Sequence, residues 1–116
     1  MKKRYTIRYA WDFDMVVTID HDVVTDEKLH ELNNFWSGAA ERLADANHDV
    51  LKAVLTTLAM KAFRMTITDL DPEGQLRRGE VEGWPPLDGS EGIQLVQLDY
   101  FELDQDEVFI TYVEEV

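Results

Sequence analysis

Residues 3–20 alternate apolar and polar side chains with a period of two. Tyr5, Ile7 and Tyr9 interleave with Arg4, Thr6 and Arg8. Past a turn near Trp11-Asp12, the series Phe13, Met15, Val17 and Ile19 interleaves with Asp14, Val16, Thr18 and Asp20. Successive side chains of a strand point to opposite faces, so alternation on both arms predicts a hairpin with one buried face. On its outer face Arg4 and Arg8 come across from Asp14, Thr18 or Asp20, according to register. Cross-strand charge pairs contribute about 0.2–1 kcal/mol each, so the basic start of the chain is expected to be consumed in local pairing.

The period then changes to that of a helix. Thr25-Asp26-Glu27 supplies a capping side chain followed by acids suited to the positive end of the helix dipole. Leu29, Leu32, Trp36, Ala39, Ala40 and Leu43 recur on one face. Ser37-Gly38 interrupts them, and a glycine inside a helix costs about 1 kcal/mol relative to alanine, so a kink or break is expected there. Asn47-His48-Asp49 caps a second helix with the stripe Leu51, Val54, Leu55, Leu58, Ala62 and Met65, widened by Ala59 and Phe63. Little polar surface remains on it, which predicts the most buried element of the fold. It should end at the β-branched Thr66-Ile67-Thr68.

Residues 69–92 hold five of the six glycines and all three prolines and read as a long loop, a kind of segment that is usually functional or mobile. Trp84 lies in it beside Pro85-Pro86 and is not expected to stay fully exposed. A second hairpin follows, Ile93 to Leu103 and Glu107 to Val113, joined by Asp104-Gln105-Asp106. In its first arm Val96, Leu98 and Tyr100 compete with Ile93, Leu95 and Phe101 for the inward side, which calls for two covered faces or a bulge. The expected fold is a single α+β domain over 1–116, in the order ββααββ: one antiparallel sheet of two hairpins with two helices packed on one face.

Length and composition are consistent with this. At 116 residues and 45% apolar content the chain has room for one core and is not a disordered acidic tail. It contains no cysteine, so disulfides, thiolate catalysis and Cys-type metal sites are excluded, which fits a reducing cytoplasm. No apolar run is long enough to span a bilayer. A soluble intracellular protein is the expectation.

The net charge of −13 is unevenly spread. Residues 1–10 hold four bases and no acid, 11–35 seven acids against Lys28, and 36–70 four of each. Residues 71–91 hold six acids against Arg77 and Arg78, and 92–116 hold seven acids and no base. Direct binding to nucleic-acid phosphates or anionic membranes requires clustered Lys and Arg, and this balance argues against both. It favours a protein partner with a basic surface.

Candidate chemistry is thin. Asp69, Asp71, Glu73 and Glu80, with Gly74 at the turn, match the spacing of a calcium loop. The exiting helix is missing, however, Pro72 stiffens the loop and no second loop pairs with it, so no metal is assigned. His21, His30 and His48 lack metal-ligand spacing, and Ser90 lacks the strand–turn–helix setting of a reactive serine. No cofactor and no catalytic residue is assigned, and the chain reads as non-enzymatic. What remains is the base-free C-terminal region, with Asp99, Glu102, Asp104, Asp106, Glu107, Glu114 and Glu115 as partner-binding candidates. Together they would mimic a phosphate track and occupy a basic groove on another protein. The alternative is an interaction module that uses the loop around Trp84, with acidity serving solubility alone.

Two stretches add a resemblance. Asp26-Glu27-Lys28-Leu29-His30-Glu31-Leu32-Asn33-Asn34-Phe35-Trp36 and Gly83-Trp84-Pro85-Pro86-Leu87-Asp88-Gly89-Ser90-Glu91-Gly92-Ile93 resemble an uncharacterised family of small acidic proteins carried by proteobacterial phages and mobile elements. Neither stretch is a catalytic motif, and no residue roles come with them. Small acidic phage proteins of this kind include anti-CRISPR proteins and other inhibitors of host defence, many of which block nucleic-acid grooves. The resemblance therefore implies an inhibitor of a host nucleic-acid-processing complex, such as a CRISPR-associated one.

Overall fold

The structure is a computed structural model that describes residues 1–10, 12–101 and 105–116. The first hairpin forms as its alternation dictates. Strand β1 (Lys2–Tyr9) pairs antiparallel with β2 (Phe13–Asp20), with Arg8 opposite Asp14 and Arg4 opposite Thr18. Met15, Val17 and Ile19 on the inner face of β2 are completely buried, and each contributes about 1.5–3 kcal/mol.

Strand β3 (Ile93–Leu98) lies on the other side of β2, so the sheet order is β1-β2-β3. Its inward side is decided by a bulge. Val17 pairs with Leu95 while Val16 pairs with Gln97, which leaves Val96 as an extra residue. Ile93 and Leu95 before the bulge and Leu98 after it therefore all face the core, and Val96 is exposed.

The second hairpin is the main departure from expectation. Residues 108–116 form no strand, so the described sheet has three strands where two hairpins require four. The edge of β3 is occupied in part from elsewhere. Residues 87–89 already lie along β3: Leu95 N–H donates to Leu87 O at 2.9 Å, Gly89 N–H donates to Ile93 O at 3.0 Å, and Asp88 bridges Gln94. The Arg77 guanidinium adds a bond to Leu95 O at 3.1 Å. The edge of β3 is thereby covered along Ile93–Leu95.

Among the described residues four α-helices stand where two were expected. Helix α1 (Asp26–Asn34) starts where Thr25 Oγ1 accepts from Lys28 N–H, and the predicted break separates it from α2 (Ala39–Asp45) at Gly38, whose φ is 84°. The break takes α2 off the apolar stripe, and none of its residues is fully buried. Helix α3 (Val50–Thr68), capped by Asp49, carries nine buried residues including Val54, Leu58, Ala62 and Phe63, and forms the centre of the helical layer.

The expected long loop is largely structured. Asp71 caps a short helix α4 (Pro72–Arg77) with Pro72 in its first turn, where a missing N–H costs nothing. Leu76, Val81, Trp84 and Leu87 from this stretch are buried in the common core with α1, α3 and the sheet. The helical layer covers one sheet face, and on the other Thr6, Gln94 and Val96 are exposed.

Candidate functional site

The acids of the folded body are mostly tied to local structure. Arg8 donates to both carboxylate oxygens of Asp14 at 2.7 and 2.9 Å, which holds the Asp14 carboxyl below the usual carboxylate range. Asp49 and Asp71 accept helix-capping bonds at 3.1 Å each. Asp88 accepts from Ser90 N–H at 2.9 Å, and hydrogen bonding from Ser90 depresses its carboxyl. Ser90 is thus a turn residue in an Asx-type turn.

The calcium-like spacing serves the same end. Glu73 pairs with Arg77 at 3.3 Å, Arg78 holds Asp71 at 3.3 Å, and Arg78 also pairs with Glu80. The stretch is helix α4 with its cap and counter-charges. Among the described residues no group of three or more His, Asp or Glu side chains is placed to hold a metal ion.

The basic start of the chain is only partly consumed. Arg8 is paired, whereas Lys2, Lys3 and Arg4 form no ion pair among the described residues. Asp20, which lies opposite Lys2 in register, sits instead 3.7 Å from the terminal ammonium.

The sequence-derived partner-binding residues separate into four groups. Asp99 is built into the fold: one carboxylate oxygen accepts from Asp14 N–H at 2.9 Å and the other from Gln97 Nε2 at 3.0 Å. Glu102 and Asp104 lie outside the described residues. Trp84 is a core residue, 8% exposed, whose edge lines a groove. Asp106, Glu107, Glu114 and Glu115 are exposed, the first two on a single 3-10 turn (Gln105–Glu107) and the others on the extended segment beyond it.

That segment carries what charge counting overlooked. Between its acid pairs stand Val108, Phe109, Ile110, Tyr112 and Val113, each between 72% and 83% exposed. Single exposed apolar residues are common on surfaces, whereas a contiguous run marks an interaction site. Its signal in the sequence was the β-branched and aromatic run itself, which reads equally as a strand.

A second feature is the groove at Trp84, about 450 Å³, shared with Trp36 and flanked by Lys61, Arg64 and Met60 of α3. It exists because residues 83–84 pack against the α1–α2 turn. A Cβ on Gly83, whose φ is 87°, would lie 2.6 Å from the Trp36 ring and 2.7 Å from the Phe35 ring. The two sequence stretches that carried the family resemblance are therefore in direct contact.

A family described as "Protein of unknown function (DUF2528)" matches residues 14–110. The chain belongs to this family. Among DUF2528 relatives, the chain is 44% identical over 104 residues to "Protein ea10" of Escherichia phage lambda, with 84% of each chain covered. The same figures hold for "Lambda prophage-derived protein ea10" of Escherichia coli O6:H1, strain CFT073. The family is phage-associated, as the resemblance implied. No solved structure matches the chain. Among the described residues no helix is long and apolar enough to cross a membrane.

Proposed function

We propose that this chain is a non-enzymatic phage binding protein whose C-terminal segment occupies a basic surface on a host nucleic-acid-processing protein. One observation carries the reading: residues 107–116 present the exposed acids Glu107, Glu114 and Glu115 around a run of exposed apolar side chains, with no base. A segment of this composition orders on binding, its acids steering the encounter and its apolar residues supplying buried area. The phage relatives support a target in the infected host, and a CRISPR-associated complex is one member of that target class.

The experiment is a binding panel of purified host nucleic-acid-processing complexes, CRISPR effectors among them, each tested with and without competing nucleic acid. Replacing Asp106, Glu107, Glu114 and Glu115 together by lysine should abolish binding and leave the circular dichroism spectrum unchanged. Affinity should also fall with added salt, because exposed charges are screened beyond about 8 Å at physiological ionic strength. Undiminished affinity in the charge-reversed variant overturns the proposal.

The Trp36–Trp84 groove favours a second reading, in which the partner docks there and acidity serves solubility. Trp36 is the more exposed of the two rings. Replacing Trp36 by alanine abolishes binding under this reading and leaves it intact under the first.

A further inference from the structure

The two edges of the sheet are treated differently. The outer edge of β3 is covered along Ile93–Leu95 by residues 87–89 and by Arg77. Among the described residues β1 pairs with β2 alone, so its other edge presents an unpaired row of N–H and C=O groups along eight residues. An open edge of this length is a template for a further strand.

Beside that edge runs an apolar groove of about 390 Å³ between β1 and α3, lined by Ile7, Tyr9, Met60, Phe63, Ile67 and Phe101. Tyr9, Met60 and Ile67 are each about half exposed or more. The C-terminal segment has the complementary properties: a β-branched and aromatic run, exposed and without a described strand partner.

We propose that residues 107–115 of one copy add as a fourth strand to the β1 edge of a second copy, so that the chain forms a strand-exchanged dimer. Charge matches the two elements. Strand β1 carries Lys2, Lys3, Arg4 and Arg8, while the segment carries Glu107, Glu114 and Glu115. An antiparallel register that sets Ile110 across from Ile7 also sets Val108 across from Tyr9 and Tyr112 across from Tyr5, all on the groove side. It then brings Glu114 to Lys3 and Glu115 to Lys2, two of the bases left without an ion pair. Opposite charges on facing strands stabilise the pairing and like charges oppose it.

A second copy is the favoured occupant because the segment leaves its own body. The longest dimension is 62 Å against 29 and 25 Å, whereas α3, with 19 residues, spans only about 29 Å at 1.5 Å per residue. The radius of gyration, 17.0 Å, exceeds the roughly 13 Å of a compact chain of this length. The inference concerns the segment to which the proposed function assigns partner binding, and it names the occupant that segment has before a host protein arrives.

The test uses the purified chain alone, so it fails or succeeds separately from the host-binding reading. Light scattering coupled to size exclusion should give the mass of two chains, and removal of residues 107–116 should give one. Variants E114K/E115K and K2E/K3E should each be monomeric, and their mixture should recover the two-chain mass. The natural absence of cysteine allows a clean cross-link. The double variant T6C/T111C, whose two positions are exposed and face each other in this register, should form a covalent two-chain species on oxidation. A single-chain mass for the natural protein overturns the proposal, as does a two-chain mass that survives the truncation. A cross-link closed within one chain, meaning the segment covers its own β1, also overturns it.

Discussion

The ring of Phe101 stacks on that of Phe13, with centroids 4.1 Å apart and planes 22° from parallel. Phe101 also meets Tyr9 and Phe63 edge-on at 5.5 and 6.0 Å. This aromatic cluster anchors the chain after β3 at the closed end of the first hairpin, just before the acidic segment. Because Phe101 is half-buried, Phe101→Ala should destabilise the fold by about 2 kcal/mol, somewhat less than a fully buried phenylalanine. Urea unfolding followed by tryptophan fluorescence measures it, and a change below a few tenths would show that the anchor is unimportant.

Gly83 joins the structured 69–92 stretch to the α1–α2 turn. An alanine there meets both the Phe35 and Trp36 rings and sits at φ 87°, a region that costs an L-residue about 1–2 kcal/mol before any clash. Gly83→Ala should lower the thermal midpoint by several degrees and alter the fluorescence of Trp36 and Trp84. By contrast, Gly89→Ala at a similar φ has no neighbour closer than 3.7 Å and should cost only the backbone part.

Arg42 closes the turn that separates α1 from α2. Its guanidinium donates to Ser37 O at 2.7 Å, to Asn33 O at 2.6 Å, to Trp36 O at 3.1 Å and to Asn33 Oδ1 at 3.0 Å. Lysine keeps the charge but cannot reproduce this planar fork. Arg42→Lys should therefore destabilise by about 1–3 kcal/mol, with the loss concentrated in faster amide exchange of residues 34–39. Full protection in the variant would refute the clamp.

Acid sensitivity should be traceable to Asp14. The hydrogen bonds from Arg8 depress its folded pKa below the unfolded value of about 3.9. Its stabilising contribution is therefore fully present above that value and is lost as pH falls through the folded pKa. Below about pH 4 the natural protein should lose stability more steeply than Asp14→Asn. Parallel stability-against-pH curves for the two proteins would count against the pair.

The first hairpin, the break at Ser37-Gly38 and the burial of α3 were all legible in the residues. Each rests on local periodicity or on one residue's conformational cost, and none depends on what lies far along the chain. The base-free stretch was legible as charge, but the hairpin expected to carry it does not form among the described residues, and the employment of Asp99 in the sheet was not legible. A carboxylate's partner is set by which backbone N–H comes near it.

The sequence by itself determined an acidic α+β domain, the strands β1 and β2, the capped starts of α1 and α3, and the phage-type resemblance. Periodicity and capping act over a few residues, so they survive without knowledge of the fold. Tertiary structure decided that residues 87–89 lie along β3 at Ile93–Leu95. They are held there because Leu76, Trp84 and Leu87 are buried in the core beside it. It also decided that residues 108–116 form no strand and stay exposed. Both outcomes depend on contacts between residues far apart in the chain, which no local pattern carries.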